Sequence, residues 1–221
     1  MRSLALSSAA AAAMSVSALS APAFGQLYSA NFNTGTSAGP EWSSTTIDTT
    51  PSGERYLGQF GSGGITLSLG SQPAGAYTLT FDFYAIQSLD GNGPAGGGAD
   101  NFEFTANNAF SLFSTNFDNF GSSGQAYPNA VGGPSNAPGT GAFATNTLGF
   151  AFGGAQFADA IYRLSFVFNH PGGNLFFGFN SQQGQGVGDE GWGLDNVTVV
   201  PAPGAACALG ALALAGLRRR R

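Results

Sequence analysis

Hydrophobic and polar residues alternate along most of the middle of this chain. The clearest run is 77–86, in which Tyr77, Leu79, Phe81 and Phe83 share one face of an extended strand. Such runs are short and are separated by Gly, Pro, Asn and Ser, whereas helix-forming residues are scarce. The pattern predicts about ten short strands, at 27–32, 43–48, 55–60, 65–69, 77–86, 102–105, 110–113, 148–152, 160–168, 175–179 and 192–199.

Many short strands with turn residues between them indicate an all-β fold, an antiparallel β-sandwich of jelly-roll type. The twenty phenylalanines agree with this prediction, because rings from two sheets fill a core about 10 Å thick. An up-and-down barrel or a solenoid is the alternative, and the absence of a fixed internal repeat disfavours the solenoid. The segment 121–141 is rich in Gly, Pro, Ser and Asn and predicts a long surface loop.

The N-terminal residues 1–25 have the features of a secretory signal peptide, which would form a helix before its removal. Arg2 supplies the positive start, 4–19 is a core of small apolar residues, and Ala21-Pro22-Ala23 offers a cleavage site. We therefore expect export, and a β-sandwich ectodomain at 26–199.

The C-terminal residues 200–221 combine a proline-containing spacer, an apolar run at 205–217 and an arginine cluster. The run is shorter than the roughly 20 residues of a free-standing span, but terminal arginines can hold such an end on the cytoplasmic side. This order resembles the PEP-CTERM sorting signal of bacteria, in a Val-Pro-x-Pro variant without the glutamate of Pro-Glu-Pro. The motif consists of Val200, Pro201, Ala202, Pro203, Arg218, Arg219, Arg220 and Arg221.

The resemblance implies an exosortase-like processing enzyme as a partner and a short hydrophobic C-terminal helix that enters the inner membrane transiently. It also implies a final location at the cell surface or in the extracellular matrix. The alternative is a plain membrane anchor that is never cut.

The predicted ectodomain is strongly acidic. It holds all twelve acidic residues of the chain but only two basic ones, Arg55 and Arg163. This balance argues against nucleic acid as a partner, because phosphates require Lys and Arg. The single cysteine, Cys207, lies in the tail. A disulfide within the ectodomain is therefore excluded, and a bound metal ion is the natural substitute to look for.

Two clusters of acidic residues are candidates for binding a metal ion. The first is Asp90-Gly91-Asn92 with Asp100 at the far end of the same glycine-rich loop, and the second is 189–196. Ca²⁺ prefers carboxylate and amide oxygens, which flexible loops of this kind can supply. Asp90, Asn92 and Asp100 are therefore candidate ligands of one structural Ca²⁺. The competing interpretation is that they are ordinary turn residues.

A second resemblance covers about residues 76–199. Phe81-Asp82-Phe83-Tyr84, Leu89-Asp90-Gly91-Asn92, Asp100-Asn101-Phe102, Tyr162-Arg163-Leu164-Ser165 and Asp189-Glu190-Gly191-Trp192-Gly193-Leu194-Asp195-Asn196-Val197 look like a recurring ectodomain of PEP-CTERM-type proteins. The segment is also similar, more loosely, to lectin-like (concanavalin-like) and carbohydrate-binding-module-like jelly rolls. That resemblance implies an aspartate of the last strand, here Asp195, as a further Ca²⁺ ligand.

Aromatic residues are candidates for stacking on sugar rings, and Trp42, Tyr84 and Tyr127 are the ones we select. Trp192 is expected in the core. The single histidine, His170, precedes a Pro-Gly-Gly turn, so a role at a strand end is expected. One histidine cannot form a typical zinc site, and the sequence has no G-x-S-x-G motif for a serine nucleophile.

These observations together predict an exported, non-catalytic surface or matrix protein that binds exopolysaccharide or another glycan. A structural or adhesive protein that contacts other proteins is the second interpretation. A glycan hydrolase is the third, because four glutamates could supply a carboxylate pair, although no spacing selects one.

Overall fold

The structure is a computed structural model that describes residues 25–35, 37–93, 98–107 and 110–202. Residues 1–24 of the predicted signal peptide, Pro203, the apolar run and the arginine cluster lie outside the described residues. Within the described part there are eleven strands and no helix. This part of the chain therefore contains no helix that could span a membrane. The strands are β1 (Tyr28–Ala30), β2 (Ile47–Thr49), β3 (Arg55–Phe60), β4 (Gly63–Gln72), β5 (Gly75–Gln87), β6 (Asn101–Ala106), β7 (Phe110–Asn116), β8 (Ala144–Thr145), β9 (Asp159–His170), β10 (Gly173–Gln182) and β11 (Glu190–Pro201).

The strands form two antiparallel sheets, which confirms the predicted all-β sandwich. The seven-stranded sheet has the order β2-β3-β11-β5-β9-β8, with β1 also paired to β11, and the four-stranded sheet has the order β4-β10-β6-β7. Eight strands have six or more residues, namely β3 to β7 and β9 to β11. If these eight are renumbered 1 to 8 along the chain, the larger sheet has the order 1-8-3-6 and the smaller sheet the order 2-7-4-5. This is the strand order of a jelly roll.

The core lies between the sheets and is mostly aromatic. The face of β5 predicted from its alternation is buried, and Phe81 and Phe83 are fully inaccessible. Their rings pack on rings of the opposite sheet, with centroids 5.1 Å apart for Phe81–Phe179 and 4.7 Å apart for Phe83–Phe102. Trp192 is buried in the same cluster, as expected. Edge-to-face contacts of this kind stabilise a core beyond the area they bury.

A second, smaller apolar cluster lies on the outer face of the seven-stranded sheet, where Tyr56, Tyr84 and Ile161 meet Leu148. The prediction of a strand at 148–152 is wrong, and the short strand in this region is β8. The reason is local, because the Asp159 carboxylate accepts hydrogen bonds from the backbone N–H groups of Thr147, Leu148 and Phe150. Those bonds replace a strand ladder.

Seven of the other predicted strands are found with longer bounds and 55–60 is found unchanged as β3, whereas 27–32 and 43–48 are replaced by the shorter β1 and β2. The predicted loop at 121–141 contains no strand. It is organised by Gln125, whose backbone pairs with Asn136 and whose side chain donates to the carbonyl oxygens of Tyr127 and Thr140. The loop is therefore held in one conformation by its own hydrogen bonds.

Candidate functional site

Three acidic side chains from distant parts of the sequence meet at one end of the sandwich. Asp90 follows β5, Asp100 immediately precedes β6, and Glu190 is the first residue of β11, opposite Gln87. One carboxylate oxygen from each lies within 4.8 Å of the other two. We call this group the acidic triad. Two of its members are predicted ligands, and Glu190 is a member that the prediction did not include.

The turn after Asp90 brings its two halves together. The Gly93 N–H donates to the Asp90 carbonyl oxygen over 3.0 Å, and the Asp100 N–H donates to that of Gly91 over 3.3 Å. Gly91 has a φ of +60°, and a Cβ there would lie 2.2 Å from the Gly124 carbonyl oxygen. Glycine is required at this point because any side chain would clash with the 121–141 loop.

The triad is buried and poor in hydrogen-bond donors. Asp90 is 3% exposed, while Asp100 and Glu190 are inaccessible. The Asp90 N–H donates to Asp100 Oδ2 over 2.6 Å, and the Gln185 N–H donates to Glu190 Oε2 over 2.8 Å. Asp90 Oδ2, Asp100 Oδ1 and Glu190 Oε1 have no hydrogen-bond partner among the described residues. Unpartnered buried oxygens are costly, so three in one place require an explanation.

Burial and mutual repulsion disfavour the ionised forms of these carboxyls. Burial first, then the charges of Glu190 and Asp118, raises the pKa of Asp90 to about 6. Burial, with the charges of Glu190 and Asp90, raises the pKa of Asp100 to about 8. Burial also raises the pKa of Glu190, against the effect of its bond from Gln185. Without a compensating cation, this region of the protein holds protons near neutral pH.

Asn92 lies on the same turn, but its side chain is engaged with the end of β7 and with the 121–141 loop. Its Oδ1 accepts a hydrogen bond from Asn116 Nδ2 over 3.1 Å, and its Nδ2 donates to Ser135 Oγ over 2.9 Å. The neighbouring Asp118 is likewise satisfied, because the N–H groups of Gly121, Ser123 and Gly124 all donate to its carboxylate. Neither side chain shares the unpartnered oxygens of the triad.

The structure does not bring Asp195 to the triad. Glu190 and Asp195 are five residues apart on β11, and side chains at odd spacing point to opposite faces of a strand. Asp195 therefore lies on the outer face of the seven-stranded sheet, opposite Asp82, and accepts a hydrogen bond from the Tyr84 hydroxyl over 3.2 Å. Burial, with the charges of Glu54 and Asp82, raises its pKa to about 7.

Two of the three predicted stacking residues are buried, and the third is half-buried. Trp42 is buried against Phe179, and its Nε1 donates to the Tyr28 hydroxyl over 2.6 Å. Tyr84 is also buried, and Tyr127 is half-buried against Phe117. The predictions for Trp42 and Tyr84 are wrong, because a ring buried in a cluster cannot also cover a sugar, whereas Tyr127 stays a prediction.

His170 has the structural role expected for it. It is the last residue of β9 and is buried. One ring nitrogen lies 2.9 Å from Asn107 Nδ2 and the other 3.0 Å from the Gly173 carbonyl oxygen. Both nitrogens are therefore occupied within the fold.

A polar groove lies on the outer face of the four-stranded sheet, next to the triad. Its volume is about 100 Å³. None of its residues is among the sequence-predicted site residues. The alternation at 101–105 predicts that the polar residues of this one strand face outward. The groove is formed by three neighbouring strands, and only their pairing in the folded sheet brings them together. The lining residues are Asn101, Phe102, Glu103, Ser114, Asn180 and Gln182.

Comparisons with known proteins are distant. No family model matches the chain, and no curated protein does. Several solved structures share part of its shape, among them the following three. Dimeric latent PorU from Porphyromonas gingivalis has 14% identity and a TM-score of 0.38, over 66% of this chain and 10% of that chain.

The other two are carbohydrate-binding domains. The module CBM6cm-2 of Cellvibrio mixtus lichenase 5A, in complex with cellotriose, has 14% identity and a TM-score of 0.36, over 80% of this chain and 98% of that chain. The CBM22-1 xylan-binding domain of Paenibacillus barcinonensis Xyn10C has 16% identity and a TM-score of 0.39, over 82% and 97%. Likenesses at these scores do not decide a ligand, so the assignment of function rests on this chain's own residues.

Proposed function

We propose that this protein is a non-catalytic, exported surface or matrix protein that binds a neutral glycan in the polar groove of its four-stranded sheet. The proposal rests on the polar groups that line the groove. Asn101, Asn180 and Gln182 offer amides that both donate and accept hydrogen bonds, Ser114 adds a hydroxyl, and Glu103 adds an acceptor. Sugar hydroxyls need this mixture of donors and acceptors.

Charge supports a neutral ligand over an anionic one. The groove carries a carboxylate and no basic side chain, and the two arginines of the ectodomain lie on other elements. Arg163, for example, is paired with Asp82 on the seven-stranded sheet, at 2.8 Å. An acidic polysaccharide would be repelled from this surface, whereas a neutral one would not.

The proposal of export and surface location rests on the sequences of 1–25 and 200–221. The resemblance of 200–221 to a PEP-CTERM signal, with an exosortase-like enzyme as processing partner, is consistent with a role beside exopolysaccharide. Detecting a shortened C-terminus by mass spectrometry of protein released from cells tests this part separately.

The glycan-binding part is tested by electrophoresis of the full chain, in a mild non-ionic detergent, through gels containing neutral exopolysaccharides. We expect retardation, and a loss of affinity of about 2–10-fold for Asn180→Ala, as removal of one neutral hydrogen-bonding group predicts. Asn169→Ala, an exposed asparagine on the other sheet, is the matched control. Absence of retardation in every neutral polysaccharide contradicts the proposal, and equal retardation of both variants contradicts the groove as its site.

A structural or adhesive role is the second candidate, and one observation favours it. The outer face of the seven-stranded sheet carries cross-strand rows of small uncharged residues, including Thr78 opposite Val167 and Thr80 opposite Ser165. Val167 is 70% exposed there. A face of this kind can pack against another protein, and concentration-dependent self-association abolished by Val167→Glu would support that role over glycan binding.

A further inference from the structure

The acidic triad has the features of a cation site rather than of a solvated acidic patch. Surface carboxylates are satisfied by water, but these three are at least nine-tenths buried. Each also has one oxygen without a hydrogen-bond donor among the described residues. The convergence of the side chains and their missing partners are separate observations, and a bound positive charge accounts for both.

The donor set selects the kind of cation. All three side chains are carboxylates, and the described residues place no His or Cys in the cluster, so a hard cation fits better than zinc or copper. Three carboxylates can supply up to six oxygens in an irregular arrangement. Ca²⁺ accepts six to eight such ligands with variable geometry, whereas Mg²⁺ requires a near-ideal octahedron and keeps most of its waters.

We propose that Asp90, Asp100 and Glu190 bind one Ca²⁺ that joins the two sheets at this end of the sandwich. Glu190 comes from the seven-stranded sheet and Asp90 follows directly from it, while Asp100 leads into the four-stranded sheet. Asp195 is not a ligand of this ion, because it lies on the opposite face of β11.

The position of the ion connects it to the groove. Asp100 is adjacent in sequence to Asn101, which pairs with Gln182 across β6 and β10. Glu190 accepts the hydrogen bond from Gln185, which lies just beyond Gln182. The ion therefore orders the end of the groove where these residues lie, without contacting a ligand itself.

The test measures ion binding without any glycan, so its result is independent of the proposed glycan binding. The full chain in non-ionic detergent is stripped with EGTA, dialysed, and titrated with CaCl₂ by calorimetry up to about 10 mM. This covers the weakest range expected of extracellular modules, about 10⁻⁴–10⁻³ M. We expect one Ca²⁺ per chain and a rise in melting temperature that MgCl₂ does not reproduce.

Glu190→Gln is the decisive variant, and Glu41→Gln, which changes an exposed glutamate in the same way, is its control. We expect Glu190→Gln to weaken Ca²⁺ binding at least tenfold and Glu41→Gln to leave it unchanged. Removing one of three crowded carboxylates also relieves repulsion, so the variant should fold without calcium. Asp100→Asn provides a second variant if it does not.

Three results would overturn the proposal. The first is no binding by the unaltered chain. The second is equal binding by Glu190→Gln, Asp100→Asn and the control, and the third is an equal thermal shift with Mg²⁺, which would remove the assignment to calcium.

Discussion

Asp195 illustrates how a single residue acquires a property that its sequence context does not reveal. It belongs to an acidic segment that reads as a ligand cluster, yet its side chain is buried beside Tyr84 on the outer face of the sheet. Its Oδ1 has no hydrogen-bond partner among the described residues. The consequence is a carboxyl whose ionisation disfavours the folded state.

The first prediction concerns pH. The pKa of Asp195 rises to about 7 in the folded protein from its ordinary value of 3.8, so the folded state binds more protons between these values. Stability contributed by the neutral form is therefore present below about pH 4 and is lost as pH rises towards 7. Asp195→Asn stays neutral, keeps an acceptor for Tyr84, and should be more stable than the unaltered chain at pH 8, by up to about 4 kcal/mol.

Thermal melting of both chains at pH 4 and pH 8 checks this expectation. The two melting temperatures should be close at pH 4 and should separate at pH 8. Asp48→Asn, at an exposed aspartate, controls for the change in net charge. A difference between Asp195→Asn and the unaltered chain that is the same at both pH values would show that ionisation of Asp195 is not its cause.

At the scale of elements, β5 is the strand on which the core depends. It lies between β11 and β9 and pairs with both over most of its length. Phe83 projects from it into the core and contacts rings from both sheets, including Phe102, Phe117 and Trp192. Truncation at this point would leave a cavity bordered by side chains from both layers.

The second prediction is that Phe83→Ala destabilises the fold by about 3–5 kcal/mol, as expected for large-to-small changes in a packed aromatic core. Val167→Ala on β9, where the side chain is mostly exposed, should change the free energy of unfolding by less than about 0.5 kcal/mol. Urea unfolding followed by tryptophan fluorescence measures both. Similar losses for the two variants would mean that the ring contacts of Phe83 contribute little.

The alternation along β5, β9 and β11 was sufficient to predict these elements, because their apolar faces meet one continuous core. It failed at 148–152, where Leu148 is buried but no strand forms. The Leu148 side chain packs on the outer face of the seven-stranded sheet, while its N–H group donates a hydrogen bond to the Asp159 carboxylate. A side chain that replaces the strand ladder from eleven residues away has no signature in local periodicity.

At the scale of the whole molecule, the acidic triad is a point where segments of both sheets meet. The loop after β5, the start of β6 and the start of β11 come together there, and the groove begins next to it. A cation at this position would restrict the relative motion of three segments at once. The turn between β4 and β5 lies at the opposite end of β5 and should not respond.

The third prediction follows from this geometry and rests on the proposed ion site. Saturating Ca²⁺ should slow amide hydrogen exchange at 88–93 and 183–190 and leave 70–75 unchanged, because ion binding suppresses local opening near its ligands. Exchange followed by mass spectrometry, with and without EGTA, measures the effect. Uniform slowing across all three segments would indicate global stabilisation and not a local link between the sheets.

The sequence by itself determined the class of fold and the identity of its acidic loops. Strand alternation, turn residues and abundant phenylalanine are local or compositional signals, and they were enough for an antiparallel sandwich. The proximity of Asp90 and Asp100 also followed from one glycine-rich loop. Their third partner, Glu190, could not be predicted in this way, because nearly a hundred residues separate it from the loop.

The tertiary structure alone decided which side chains meet and which are buried. The pairing of β11 with β5 sets Glu190 beside the loop, and the pleat of the same strand turns Asp195 away from it. Packing between the sheets buries Trp42, and a cluster on the outer face buries Tyr84. The groove exists because β6 lies between β10 and β7. Strand order and register are long-range properties, and local sequence patterns carry little information about them.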